Sequence, residues 1–246
     1  MYLTRTFINP RRRGAVPFIG NPQKLHAAVM QAFPQSPASD AAEGARVLWR
    51  LDGDDPRRPV LWTVSPDRPS MRHVTEPYGW PESDRAFETR EYGPLLDRLG
   101  EGQRYIFRVT VNPVKALPPA EPEQGSPDGK RPRGGRVPLV GVEAQVEWFA
   151  ERSEKWGFRL LPGRVGRPDA DADGRPARAV EVRDSRKLRF WREKKAKPVV
   201  LNTVTFEGLM EVADAEALRT SLTRGVGRAK GYGCGLISLA PAPGGR

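Results

Sequence analysis

Two histidines, His26 and His73, and one cysteine, Cys234, are the only side chains of their kinds in 246 residues. Proton transfer near neutral pH therefore has two imidazole candidates, and a zinc ligand set has too few members. His26 closes the run Asn21-Pro22-Gln23-Lys24-Leu25-His26, in which an asparagine followed by proline reads as a helix cap and a first helical residue. Leu25, Ala28, Val29, Ala32 and Phe33 fall on one face of that helix, and Pro34 stops it. His26 stands at the edge of this face with Gln23 and Met30 one turn to either side, a place where a lone histidine is ordinarily a packing residue. His73 lies in Met71-Arg72-His73-Val74, a loop without a motif. Cys234, between two glycines and ahead of an apolar strand, reads as small packing. The carboxylates Glu76 and Glu82 show no spacing suited to paired acid and base work.

The other chemistry-bearing stretch is Gly225-Val226-Gly227-Arg228-Ala229-Lys230-Gly231-Tyr232-Gly233-Cys234-Gly235-Leu236. So dense a run of glycine is costly in chain entropy, and is kept where backbone needs positive φ or must come close to a neighbour. With Arg228 and Lys230 inside it, the run suits a polyanion. It follows a helix, Ala215 to Arg224 capped by Asp214, and leads into a strand, Leu236 to Leu239, which is neither the P-loop arrangement nor a dinucleotide fingerprint. A second basic stretch, Arg183 to Lys197, holds Arg183, Arg186, Lys187, Arg189, Arg192, Lys194, Lys195 and Lys197 against Asp184 and Glu193. Leu188, Phe190 and Trp191 interrupt the charges, so that 179–192 and 199–212 read as a hairpin with a basic tip.

The elements that must position these residues follow from periodicity. Strands are predicted at 2–8, 46–51, 60–65 and 105–111 and helices at 21–33 and 94–99, the order of a ferredoxin-like unit. The stretch 66–91, rich in proline and charge, is left irregular. The aromatic stripe of Tyr105 and Phe107 lacks the pattern of an RNA-recognition motif and reads as core. Residues 117–135 carry five prolines without apolar periodicity and read as a linker. A helix from 143 to 155 is expected to bury Val142, Val146, Phe149 and Ala150. Asp169 to Gly174 imitates half of a calcium loop, but Val180 stands where the closing glutamate belongs, so it reads as an acidic solvated loop. Lys plus Arg is 41 and Asp plus Glu 30, a net charge of +11, which predicts an anionic partner. With no leader visible and no apolar run approaching membrane-spanning length, a soluble, cytoplasmic chain without membrane attachment is expected.

The glycine-rich stretch resembles the C-terminal motif of the CRISPR precursor-RNA processing endoribonucleases, in particular the CasE subunits of type I-E Cascade complexes. Met1-Tyr2-Leu3-Thr4-Arg5, Tyr105 to Pro113, Gly129-Lys130-Arg131 with Val137-Pro138-Leu139, and Val204 to Leu209 are similar to that family's segments in chain order. The resemblance, together with element order, implies an α+β fold of two tandem ferredoxin-like (RRM-like) domains with a basic β-hairpin and a C-terminal glycine-rich loop. The expected division is 1–117, a linker 118–136, and 137–246.

The resemblance also assigns roles. His26 takes the position of the family's catalytic histidine. Many members carry a tyrosine three residues earlier, where this chain has Gln23, so either His26 carries more of the proton transfer or another group helps. The expected reaction is metal-independent attack of an RNA 2′-hydroxyl at the base of a CRISPR repeat hairpin. It would leave a 2′,3′-cyclic phosphate and a 5′-hydroxyl, with the mature crRNA still bound beside other Cascade subunits. Such a cleavage requires a proton acceptor, a proton donor and charge stabilisation, the last from Arg228 or Lys230, and no cofactor. RNA contacts are expected from Lys130, Arg131, Arg133 and Arg136, from the eight basic residues of the ribbon, and from Gly225, Gly227, Gly231 and Gly233. The alternative is a non-catalytic subunit that binds the same hairpin.

Overall fold

Strand β1 (Tyr2–Phe7) is the centre from which the first sheet grows. In the computed structural model, which describes residues 1–33, 46–118, 135–163, 179–192 and 197–242, it is followed by helices α1 (Ala15–Ile19) and α2 (Pro22–Gln31), strands β2 (Leu48–Asp52) and β3 (Val60–Ser65), helix α3 (Arg72–Tyr78), strand β4 (Phe87–Glu91) and helix α4 (Gly93–Arg98). The sheet order is β2-β3-β1-β4, all antiparallel. In terms of the unit's own strands this is second, third, first, fourth, the ferredoxin-like arrangement. Leu25 and Val29 of α2 pack with Ile8, Phe18, Trp49, Leu61, Met71 and Val74 in one core.

The second half comprises β5 (Arg104–Val111), β6 (Val114–Ala116), β7 (Arg136–Pro138), α5 (Val142–Ser153), β8 (Phe158–Leu160), β9 (Val180–Phe190), β10 (Val199–Val212), α6 (Ala215–Arg224) and β11 (Ile237–Pro241). Its sheet order is β11-β5-β10-β8, again fourth, first, third, second, with β9 added along β10 and β6 paired with β7 as a separate ribbon. The same plan is thus built twice without a visible repeat in sequence.

The strand 104–111, expected to finish the first domain of 1–117, instead opens the second sheet: it pairs with β10 from Arg104↔Glu211 to Val111↔Val204 and with β11 on its other edge. The places assigned to helix 94–99 and strand 105–111 are taken by α3 and β4, inside the stretch read as irregular. The physical reason lies in their composition. β4 reads Phe-Glu-Thr-Arg-Glu and has no buried apolar alternation; it is held by its ladder to β1, by the Thr4–Thr89 hydroxyl pair and by an Arg5–Glu88 ion pair. α3 contains Pro77 near its end. Most of the expected linker, together with the 169–174 loop, lies outside the described residues; its end, Arg136, is paired with Ala116 in the β6–β7 ribbon. α5 buries Phe149 and packs Val146 against the core as expected, and departs at two positions. Trp148 faces inward while Val142 is exposed, because an aromatic ring buries more area than a valine does.

The halves share a core, in which Leu48, Val64, Tyr92 and Leu96 join Phe107, Phe149, Phe206, Leu218 and Leu236. Arg50 of β2, 1% exposed, completes the junction. Its guanidinium donates to both carboxylate oxygens of Asp52 (2.7 and 2.9 Å), to the carbonyls of Arg108 (2.8 Å) and Leu236 (3.0 Å), and to Ser238 Oγ (2.8 Å). All five N–H donors of the side chain are used.

Candidate active site and RNA-facing surface

His26 is set by helix α2. Asn21 Oδ1 accepts hydrogen bonds from the backbone N–H groups of Gln23 (3.0 Å) and Lys24 (3.2 Å), and Pro22 occupies the first helical position, so the start of the helix is fixed. Leu25 and Val29 bury the helix on its core, which leaves His26 half-buried on the flank. His73 hydrogen-bonds through Nε2 to the carbonyl of Ala28 at 2.8 Å; it braces α2 from α3 and is structural.

What His26 faces is the glycine-rich loop. The ring lies 3.7–3.9 Å from where a Cβ on Gly231 would sit, and 6.4 Å, edge-on, from the ring of Tyr232. Burial pushes the imidazole below its ordinary value, so it is neutral at pH 7. Nδ1 is sealed from solvent without a hydrogen-bond partner among the described residues, leaving Nε2 as the nitrogen that can exchange a proton with a bound molecule.

The loop reaches α2 because its glycines let it lie directly on β2. Gly233 has φ +82, and a Cβ there would come within 2.7 Å of the Trp49 ring; no other residue fits both demands. Gly225 is turned in the same way against Leu48. These two therefore serve the loop's own packing, while Gly227 is exposed and Gly231 covers His26. Ala229 holds φ +61, an unusual conformation for a residue with a side chain, of the kind that gathers at functional sites.

The two loop cations go to different places. Lys230 Nζ donates to the carbonyl of Arg224 at 2.8 Å; burial, and then the Arg46 charge, hold its ammonium below the usual value. It closes the C-terminal end of α6. Arg228 is exposed and lines a cleft with Arg136, Trp148 and Trp156. Gln23, one turn before His26, is half-buried. Cys234 is fully buried and its thiol is pushed up to about 12, so it is inert as a nucleophile.

The basic ribbon also returns to His26. β9 and β10 pair from Val180↔Gly208 to Phe190↔Val199 with a register shift at Thr205/Phe206. Arg183 and Arg186 have ion pairs with Glu181 and Asp184 on the same strand. Lys187, Arg189 and Lys197 are exposed, and Arg189 lies against Trp191. Lys194, Lys195, Lys130, Arg131 and Arg133 lie outside the described residues. At the strand's end Phe190 is buried against Tyr232, ring centroids 4.8 Å apart, and the Arg192 guanidinium lies 5.5 Å from the same ring. Tyr232 thus touches both His26 and the ribbon. Sequence reasoning passed over it, although an aromatic ring inside a glycine run was a usable signal. Among the described residues no three His, Cys, Asp or Glu side chains gather as a metal site, and no helix is long and apolar enough to cross a membrane.

Two ferredoxin-like units, a histidine at their junction and a cationic ribbon bent toward it define an RNA-handling protein of the double ferredoxin-like class. Residues 1–241 match the family model described as CRISPR associated protein, and the chain belongs to that family. It is 31% identical to the CRISPR-associated endoribonuclease Cse3 of Thermus thermophilus over 98% of this chain and all of that protein. It is 29% identical to the CRISPR system Cascade subunit CasE of Escherichia coli over 58% of this chain and 61% of the relative. A structure of Thermus thermophilus Cse3 bound to an RNA representing a pre-cleavage complex superposes with a TM-score of 0.71 at 29% identity, covering 98% of each chain.

Proposed function

We propose that this protein is an endoribonuclease that cuts CRISPR precursor RNA at the foot of the repeat hairpin and keeps the mature guide RNA bound as a Cascade subunit in the cytoplasm. The observation that carries this is that Tyr232 links parts of the chain far apart in sequence, its ring edge-on to half-buried His26 at 6.4 Å and 5.5 Å from the guanidinium of Arg192. The first half supplies the histidine helix, the second the ribbon and the loop.

RNA brings its own nucleophile. Neutral His26 takes the proton of the 2′-hydroxyl through Nε2. The oxygen attacks the adjacent phosphorus, the bond to the 5′-oxygen breaks, and the products are a 2′,3′-cyclic phosphate and a 5′-hydroxyl. Tyr232 gives its phenolic proton to the leaving oxygen, in place of the tyrosine that Gln23 replaces. Arg192, its guanidinium 5.5 Å from the Tyr232 ring, stabilises the charge that develops on phosphate. The ribbon grips the stem by shape and charge, since the deep narrow groove of A-form RNA hides base identity.

The test is a cleavage gel with repeat RNA. His26→Ala should slow cleavage by about 10²- to 10⁴-fold while hairpin affinity holds, a 2′-deoxy substitution at the scissile ribose should abolish it, and EDTA should change nothing. Intact ribose RNA in a tight complex with wild-type protein would instead identify a binding subunit without catalysis, and loss of activity in EDTA would contradict the metal-free route.

A further inference from the structure

At the start of the glycine-rich loop a cleft of about 390 Å³ opens between α5, the β6–β7 ribbon and the turn Gly227-Arg228. That volume lies within the range of small-ligand sites, about 300–1,000 Å³. The cleft uses none of the groups that meet at His26. Four of its lining residues are cationic, Arg136, Arg152, Lys155 and Arg228, two are indoles, Trp148 and Trp156, and none is acidic.

The details favour a base and a phosphate. Trp148 and Trp156 stand edge to face, centroids 6.1 Å apart. Arg152 lies over the Trp148 ring at 4.5 Å and is held there by hydrogen bonds to the Trp148 carbonyl (2.8 Å) and to Glu151 (3.1 Å). Trp148 is 9% exposed and forms the floor of the cleft beneath Arg152, so half-buried Trp156 is the indole that offers a face to a ligand. Nucleobases supply flat faces and in-plane acceptors, and their phosphates pair with arginine.

We infer that this cleft binds one single-stranded nucleotide of the RNA flanking the hairpin, its base against Trp156 and Trp148 and its phosphate toward Arg136, Lys155 and Arg228. This rests on the RNA-processing reading above. A covalently continuous strand is favoured over a free nucleotide because the same loop serves both places: Arg228 lines the cleft and Gly231 covers His26, three residues and at most about 11 Å of chain apart. The flank that leaves the scissile ribose thus has an aromatic, cationic seat within reach.

The experiment compares binding of two non-cleavable 2′-deoxy RNAs, the bare stem-loop and the same stem with single-stranded flanks. Stacking of about 1–3 kcal/mol per base converts to about 5- to 150-fold in affinity. Trp156→Ala should lose that factor on flanked RNA and leave the bare stem unchanged. Because Trp156 also packs on the core, the exposed Lys155→Ala serves as a second variant. It should lower the slope of log affinity against log salt by about 0.7 on flanked RNA alone. Equal losses on both RNAs, or no loss on either, would overturn the inference, as would displacement of the flank by micromolar adenosine monophosphate. Failure of the wild type to bind the bare stem would instead strike the RNA-processing reading itself.

Discussion

His26 acts as a base only while its imidazole is neutral, and burial favours that form. Since the shift is downward, the neutral fraction stays near full from pH 7 upward and is lost as pH falls. Single-turnover cleavage should therefore decline on the acid side with an inflection below about 6.5; cleavage that instead falls as pH rises through neutrality would give His26 the role of general acid. Tyr232 carries a separate test. Tyr232→Phe keeps the ring contacts with His26 and Phe190 and removes the phenolic proton, so cleavage should slow by about 10²-fold or more. An RNA with sulfur in place of the 5′-leaving oxygen needs no protonation, and on that substrate wild type and Tyr232→Phe should cut equally. A loss that persists on the thio substrate would make Tyr232 a positioning residue. The sequence placed His26 on its helix edge through one motif, Asn-Pro ahead of an apolar face, and chemistry then followed from resemblance. Tyr232 could not be paired with it, because the two are brought together by contacts across more than two hundred residues.

At the scale of elements, the glycine-rich loop is the piece that joins the halves at the site. It lies against Leu48 and Trp49 of β2 through Gly225 and Gly233 and is tied to β5 by the Gly235 N–H donating to the Thr110 carbonyl at 2.7 Å. Gly233→Ala combines a left-handed conformation with a contact inside the Trp49 ring's radius, and should cost about 1–3 kcal/mol. A lowered melting temperature together with cleavage falling more than hairpin affinity is the expected pattern; unaltered melting would mean the loop can lift from β2. The glycine spacing, the end of α6 at Gly225 and the alternation of β10 were legible, because each is a local backbone requirement. The edge strand β4 was not, since its stability comes from a ladder with β1 and from polar cross-strand pairs that a search for apolar alternation passes over.

For the whole molecule, the decisive contact is Arg50. It is an ion-paired cation enclosed between two sheets, and removing it leaves the Asp52 carboxylate with only the more distant Arg108 guanidinium at 3.6 Å and takes a donor from the carbonyls of Arg108 and Leu236. Arg50→Ala should destabilise the protein by about 3–5 kcal/mol, read as a shift of the denaturation midpoint; loss of less than about 1 kcal/mol would show that the apolar contacts alone join the halves. Composition and local pattern determined that this is a basic α+β chain with its histidine on the capped helix that begins at Asn21 and its glycines near the end, while the doubling of the ferredoxin-like unit came from resemblance together with element order. Which sheet received strand 104–111 was decided only in three dimensions. Its apolar alternation would satisfy either half, and the choice falls to the partners that flank it, β10 and β11, arriving from the far end of the chain. The same holds for the site: backbone propensity acts over a few residues, whereas the seat of His26 beside Tyr232 exists only once two cores have packed against each other.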